Sequence, residues 1–310
     1  MLSHTAHYSR SGVLRTGAPI HQRGLSLVEL MIGLAIGLMT VAVAMGALMA
    51  SRSVTATVSD SSQLQQQSAY AFRIFAQQLR QAGSMRLNLA AQKPDSLDTS
   101  IGINDFVAFE TKAKGFDPNQ DILRGLDSPG DKEFALTVGY RNYQEKLHIA
   151  NNSSTQLRNC LGESYEEDPP SNTRPDRKDR LLSHFTLRNS TLFCAGEDIA
   201  QPIVDNVANF QVRYLLQSSP HGSPQMRYVT AAAVGDQWNN VFAVEVCLVL
   251  FGNEVIDMPA ESSYADCPAA DGTVAMIDMT SLEQPRNRRV HKAYRSVFQL
   301  RSQGLLQAAS

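Results

Sequence analysis

Few residues in this 310-residue chain have the type and spacing to do chemistry. Four cysteines, Cys160, Cys194, Cys247 and Cys267, are its only thiols, and none stands in a C-x-x-C pair. Zinc sites and dithiol redox centres are commonly built on that close spacing, so the four favour disulfides, provided the compartment is oxidising. Asp117, Asn119 and Asp121 begin like a calcium loop, with oxygen donors at alternate positions. The pattern then breaks, because Ile122 stands where the sharp turn needs glycine and Ser128 where a bidentate glutamate closes the site. A solvated turn is favoured there over a bound cation. The histidines form no H-E-x-x-H pair, and there is no G-x-S-x-G elbow and no glycine-rich phosphate cradle. Ser183 and His184 suit a strand surface better than a catalytic pair. The expectation is therefore no enzyme and no cofactor, and a net charge of -2 leads us to expect no direct nucleic-acid binding. One carboxylate remains, Glu29, whose chemistry depends on where it lies.

Glu29 stands at the mouth of the one long apolar run. From Leu30 to Ser51, LMIGLAIGLMTVAVAMGALMAS, 22 residues carry no charge. As a helix this spans about 33 Å, enough for the hydrocarbon core of a bilayer. Arg10, Arg15 and Arg23 precede it with no acidic residue, whereas an isolated Arg52 and then Asp60 follow. The basic flank stays cytoplasmic, which sends residues 52–310 across the membrane, into the periplasm of a two-membrane bacterium where disulfides persist. Ala42, Val43 and Ala44 supply an A-x-A secretory cleavage pattern. Against it, the run continues apolar past Ala44 and a charge interrupts its start. A carboxylate in hydrocarbon costs about 2.5–3.5 kcal/mol and needs a partner, yet no Lys or Arg lies between Leu25 and Ser51. A cut after Gly24 would supply one. The new α-amine of Leu25 would lie one helical turn before Glu29, in the same chain or in a neighbour staggered along a filament.

The stretch Arg23-Gly24-Leu25-Ser26-Leu27-Val28-Glu29-Leu30 resembles the class III signal of type IV pilins and pseudopilins. A basic leader ends in glycine, an apolar residue follows, and a glutamate stands fifth. The resemblance implies that a prepilin peptidase of the inner membrane cuts after Gly24 on the cytoplasmic side and methylates Leu25, with Glu29 as the assembly glutamate. Leu25 departs from the phenylalanine more usual at that place, within the apolar set the motif accepts.

Beyond the apolar run, Val54, Val58, Phe72, Phe75, Leu79 and Ala82 recur at helical intervals, with SDSSQ at 59–63 as a polar weak point that could fray and Gly83 as a stop. A helix of about 55–58 residues from Leu25 follows, roughly 85 Å long. Later runs read as strands: 106–110, 133–140, 181–187, 190–194, 241–251 and the one-sided 290–301, where Tyr294, Phe298 and Leu300 fall at even spacing. Residues 163–180, with tandem prolines and charges of both signs, read as an exposed insertion. The expected fold is α+β and pilin-like: a long N-terminal helix, transmembrane and then amphipathic, packed on an antiparallel β-sheet head with loop insertions. Its parts are a leader at 1–24, a transmembrane half-helix at 25–51, an amphipathic half at 52–83 and the head at 84–310. Four cysteines allow three pairings. Cys160 with Cys194 and Cys247 with Cys267 is favoured, since each pair brackets one loop-rich insertion beside a strand.

Within the pilin group, residues 204–216, 239–251 and 288–302 resemble head segments of PilW-type minor pilins. That resemblance implies a low-abundance subunit that joins other minor pilins and the major pilin, primes assembly, and lies near the fibre tip, with a tip adhesin as a further partner and roles in adhesion, twitching motility or DNA uptake. A GspJ-type minor pseudopilin of type II secretion shares the signal and is the nearest rival. A membrane-anchored periplasmic enzyme is the rival from another class; its activity would survive loss of Glu29.

Overall fold

A computed structural model describes residues 24–84, 87–88, 108–109, 116, 118–143, 145–146, 153–164, 180–196, 199–218 and 225–300. It divides into two compact units, one up to Arg52 and one from Ser53 onward. A single helix, α1 (Leu27–Gln81, 55 residues), contributes to both. The polar stretch 59–63 continues the helix without a break.

From Ser53 onward the packed face of α1 is set by residues at i, i+3 and i+4: Asp60, Leu64, Ser68, Ala71, Phe75, Leu79 and Ala82 are all buried. Val54 and Val58, which the periodicity assigns to this face, are each 63% exposed. The stripe starts at Asp60, because the head begins to cover the helix only there.

Two antiparallel sheets meet that face. The first is a five-stranded meander whose spatial order follows the chain, β1 (Leu123–Gly125), β2 (Leu136–Arg141), β3 (Arg180–Arg188), β4 (Thr191–Ala195) and β5 (Ala200–Asp205). Asn189 and Ser190, both at positive φ, close β3 onto β4 as a two-residue hairpin turn, a conformation asparagine tolerates well. One residue, Asn206 at φ 58°, then carries the chain from β5 into the second sheet. That sheet contains β6 (Val207–Ser218), β7 (Gln225–Val229), β8 (Val241–Phe251) and β11 (His291–Gln299), in the order β7-β6-β8-β11. A two-stranded ribbon, β9 (Ser263–Ala265) with β10 (Met276–Asp278), stands in the insertion between β8 and β11.

One apolar cluster joins the helix to both sheets. Phe75 is its centre, with its ring 4.6 Å from Phe185 of β3 and 5.7 Å from Phe210 of β6. Phe72 faces Phe298 of β11 at 6.3 Å. β8 reads VFAVEVCLVLF, apolar on both faces, for a reason the fold makes plain. Val244, Val246, Leu248 and Leu250 enter the main core, while Cys247 and Val249 lie under the insertion beside Tyr264 and Cys267.

Candidate processing and assembly site

At the start of α1, Ser26 acts as the N-cap. Its hydroxyl accepts the backbone N–H of Glu29 at 3.1 Å, and its carbonyl accepts the N–H of Leu30, also at 3.1 Å, the first bond of the helix. Ser26 and Glu29 thus have the S-x-x-E spacing of a capping box, which places the glutamate in the first turn at the positive end of the helix dipole. This signal was readable in GLSLVELM, although the membrane pattern alone does not call for it. Among the described residues Glu29 makes no ion pair. Gly24 is exposed with no atom within 4 Å of where a Cβ would stand, and Leu25 is 74% exposed.

From Leu27 to Met49 every large apolar side chain is exposed. The segment is apolar all round rather than along one stripe, so within its own unit it has no face to bury. Its composition and length are those of a membrane anchor.

Further along the same helix, a polar group of side chains meets the turn after β8. The buried carboxylate of Asp60 accepts the Glu254 N–H at 3.0 Å, Ser61 accepts a hydrogen bond from the Lys292 ammonium at 2.6 Å, and Gln63 accepts one from Asn253 at 3.2 Å. Arg289 donates to the carbonyls of Gly252 and Asn253 from the other side. Gly252 is required here, because a Cβ would stand 2.3 Å from the Asp60 carboxylate. Near the end of α1, buried Gln78 accepts the Ser183 hydroxyl at 2.9 Å and lies 3.0 Å from the Tyr140 hydroxyl. Tyr140 also meets the Arg158 carbonyl, and Ser183 accepts the Cys160 N–H at 3.0 Å. Burial holds the Tyr140 phenol well above its ordinary range. These polar residues occupy core-facing positions because backbone groups of distant loops would otherwise be buried without partners.

Two disulfides frame the head. Cys160 is bonded to Cys194, fixing the loop before β3 to β4, and Cys247 to Cys267, fixing the insertion across β8. Beside the second, Arg213 of β6 and Glu245 of β8 face each other in register and form a buried ion pair at 2.6 Å. Arg213 also donates to the Ala269 carbonyl and lies 4.8 Å over the Tyr228 ring, so the pair is enclosed by sheet and insertion together.

The remaining sequence candidates are not brought together. Asp117 lies outside the described residues, Asn119 falls in a single helical turn (Pro118–Asp121), and the Asp121 carboxylate is paired with Arg180 at 3.0 Å. Among the described residues no group of His, Cys, Asp and Glu side chains could hold a metal ion. Ser183 and His184 point to opposite faces of β3. Ser183 is fully buried toward α1, while His184 bonds Thr137 at 2.8 Å and stacks on Phe134 at 4.3 Å.

Residues 20–45 match the family model described as Prokaryotic N-terminal methylation motif, and residues 179–302 match the one described as Type IV Pilus-assembly protein W. The second match runs from the start of β3 to just past β11, and so covers the whole of the second sheet. No curated protein and no solved structure matches the chain. The chain thus carries a methylation motif on the first turns of a bare apolar helix and a PilW domain in the head, a combination consistent with a PilW-type type IV pilin.

Proposed function

We propose that this chain is a minor pilin that joins other minor pilins in a complex priming type IV pilus assembly, and that it stays near the fibre tip. Its role is structural. The observation that carries the proposal is Glu29, a carboxylate in the first helical turn with no ion-pair partner among the described residues, followed directly by a helix half with no covered face.

Cleavage between Gly24 and Leu25 by a prepilin peptidase creates the α-amine that Glu29 lacks. A positive amine at a helix N-terminus is itself unfavourable, since the dipole is already positive there. Glu29 offsets both charges. An uncompensated carboxylate in the membrane costs about 2.5–3.5 kcal/mol, so a subunit gains by placing Glu29 against the amine of a neighbour already in the fibre. In the mature subunit the basic leader is gone, the apolar half-helix anchors it in the inner membrane, and the head faces the periplasm. The major pilin and a tip adhesin are the remaining partners.

Replacing Glu29 by alanine tests this. Glu29→Ala should be processed and inserted normally but reach sheared fibres at about one tenth of the wild-type level or less, a loss of about 1.4 kcal/mol or more per incorporation step. Wild-type abundance of Glu29→Ala in sheared fibres would remove Glu29 from the assembly mechanism.

A further inference from the structure

The last strand of the second sheet is covered at its start, where His291 stacks on Tyr264 of β9 at 4.6 Å, but from Ala293 to Gln299 it has an edge and a face that no described part of the head covers. β11 pairs with β8 alone. Its ladder continues at both ends, through the Gly252 N–H to the Val290 carbonyl and the Leu300 N–H to the Phe242 carbonyl. Bonded positions alternate in an antiparallel ladder, so the even-numbered residues from 290 to 300 face β8. Ala293, Arg295, Val297 and Gln299 therefore turn their N–H and C=O groups toward the free edge. The side chains of these four are also the exposed ones, with Val297 at 49% exposure, whereas Lys292 and Phe298 pack on α1. The insertion buries Cys247 and Val249 of β8 but leaves bare their partners in register, Arg295 and Ala293.

Open edges are ordinarily blunted by proline, a bulge or an inward-pointing charge. From 293 to 299 there is no proline and no register shift. The one charged side chain, Arg295, points outward and makes no ion pair among the described residues. The basic residues before it are engaged elsewhere, Arg288 with Asp257, Arg286 with the Tyr264 hydroxyl, Arg289 with the carbonyls of Gly252 and Asn253 and Lys292 with Ser61 of α1, so Arg295 is the charge that this stretch of the strand presents. The opposite edge of the sheet, β7, carries exposed Arg227. Joining β7 of one copy to β11 of another would set like charges together, which disfavours a second copy as the occupant.

We propose that the free edge of β11 receives an extended segment of another protein, with an acidic side chain opposite Arg295 and small or β-branched apolar side chains beside Ala293 and Val297. Main-chain bonds would hold the added strand and the arginine would select it.

The test uses the full chain in detergent micelles and two blocked peptides, EVEVEVEV and KVKVKVKV, with amide hydrogen exchange read residue by residue. The glutamate peptide should protect the amides of 293, 295, 297 and 299, while those of 292, 294, 296 and 298 are protected throughout. The lysine peptide should not protect them. Val297→Pro removes an outward N–H without touching the β8 ladder and should abolish the protection. Arg295→Glu should weaken binding of the glutamate peptide at least about tenfold, and Arg295→Lys should largely retain it. Equal protection by both peptides would overturn the proposal, as would undiminished binding to Val297→Pro or Arg295→Glu. Concentration-dependent protection of the same amides without peptide would show that a second copy takes the edge, and would overturn it too.

Discussion

Replacing Gly252 by alanine perturbs the place where α1 meets the turn after β8. The added Cβ would stand 2.3 Å from Asp60 Oδ2, 2.9 Å from Cγ and 3.3 Å from Cβ. Asp60 cannot swing clear without breaking its 3.0 Å bond from the Glu254 N–H, and it is 4% exposed. Overpacking costs about 1–3 kcal/mol, and a hydrogen bond to a charged group contributes about 1.5–3 kcal/mol. A loss of about 3 kcal/mol is expected, or roughly 6–12 °C in midpoint at about 2–4 °C per kcal/mol for a head of this size. Thermal unfolding of the full chain in detergent, followed by circular dichroism, measures it. A double-mutant cycle isolates the cause, since truncating Asp60 removes the obstacle. Asp60→Ala with Gly252→Ala should be little less stable than Asp60→Ala alone. If Gly252→Ala lowered stability by less than about 1 kcal/mol, or if the two effects simply added, the helix would not be held at this turn in the way described.

Three further outcomes follow from other parts of the head and its helix. Replacing both cysteines of the 247–267 pair by serine, which opens a loop of sequence separation 20, should cost about 3 kcal/mol in the chain-entropy model. For the 160–194 pair, of separation 34, the same model gives about 4 kcal/mol; denaturant titration of each variant checks both. His184 is pushed down to about 4 from its ordinary 6.5, by burial first and then by the charge of Arg180. The unfolded chain thus takes up this proton at higher pH than the folded one. The stability due to neutral His184 is complete above pH 6.5 and is lost as pH falls toward 4. Unfolding midpoints across that range should show the fall, and His184→Gln should flatten it. Leu79→Ala, at a fully buried position of α1, should cost about 2–5 kcal/mol, whereas Val58→Ala, at an exposed one, should stay within about 0.5 kcal/mol in the same unfolding assay.

The long helix and several strands of the main core, β2, β3, β4, β8 and β11, were legible because their side chains repeat with the period of the element or run apolar throughout. The run VFAVEVCLVLF and the even spacing of Tyr294 and Phe298 correspond directly to β8 and β11. Periodicity reveals that a face exists, but it does not say what covers it. Val54 and Val58 continue the stripe of α1 and yet stand exposed. Polar residues on a packed face were the harder case. Asp60, Gln78 and Ser183 look like weak points or surface positions in sequence, but each meets a group far along the chain: the Glu254 N–H, the Arg158 carbonyl and the Cys160 N–H. No local pattern encodes those separations. The strands β1, β5, β7, β9 and β10 were also missed, being short and only partly packed on the main core, and so was the long β6, whose residues entered only through their resemblance to a head segment. Proline interrupts β5, and β7 has four exposed residues of five. At the other end of the chain, Gly24, Leu25 and Glu29 could be singled out because their meaning lies in local spacing, and the capping geometry of Ser26 adds a structural reason for that spacing.

Mass analysis of the N-terminus of mature protein from its native host tests most directly whether this segment is processed as a pilin. The expected species begins at Leu25, carries one added methyl group on its α-amine, and retains the whole apolar helix. A mature chain beginning at Met45, or one still carrying Gly24 and the residues before it, would contradict that reading.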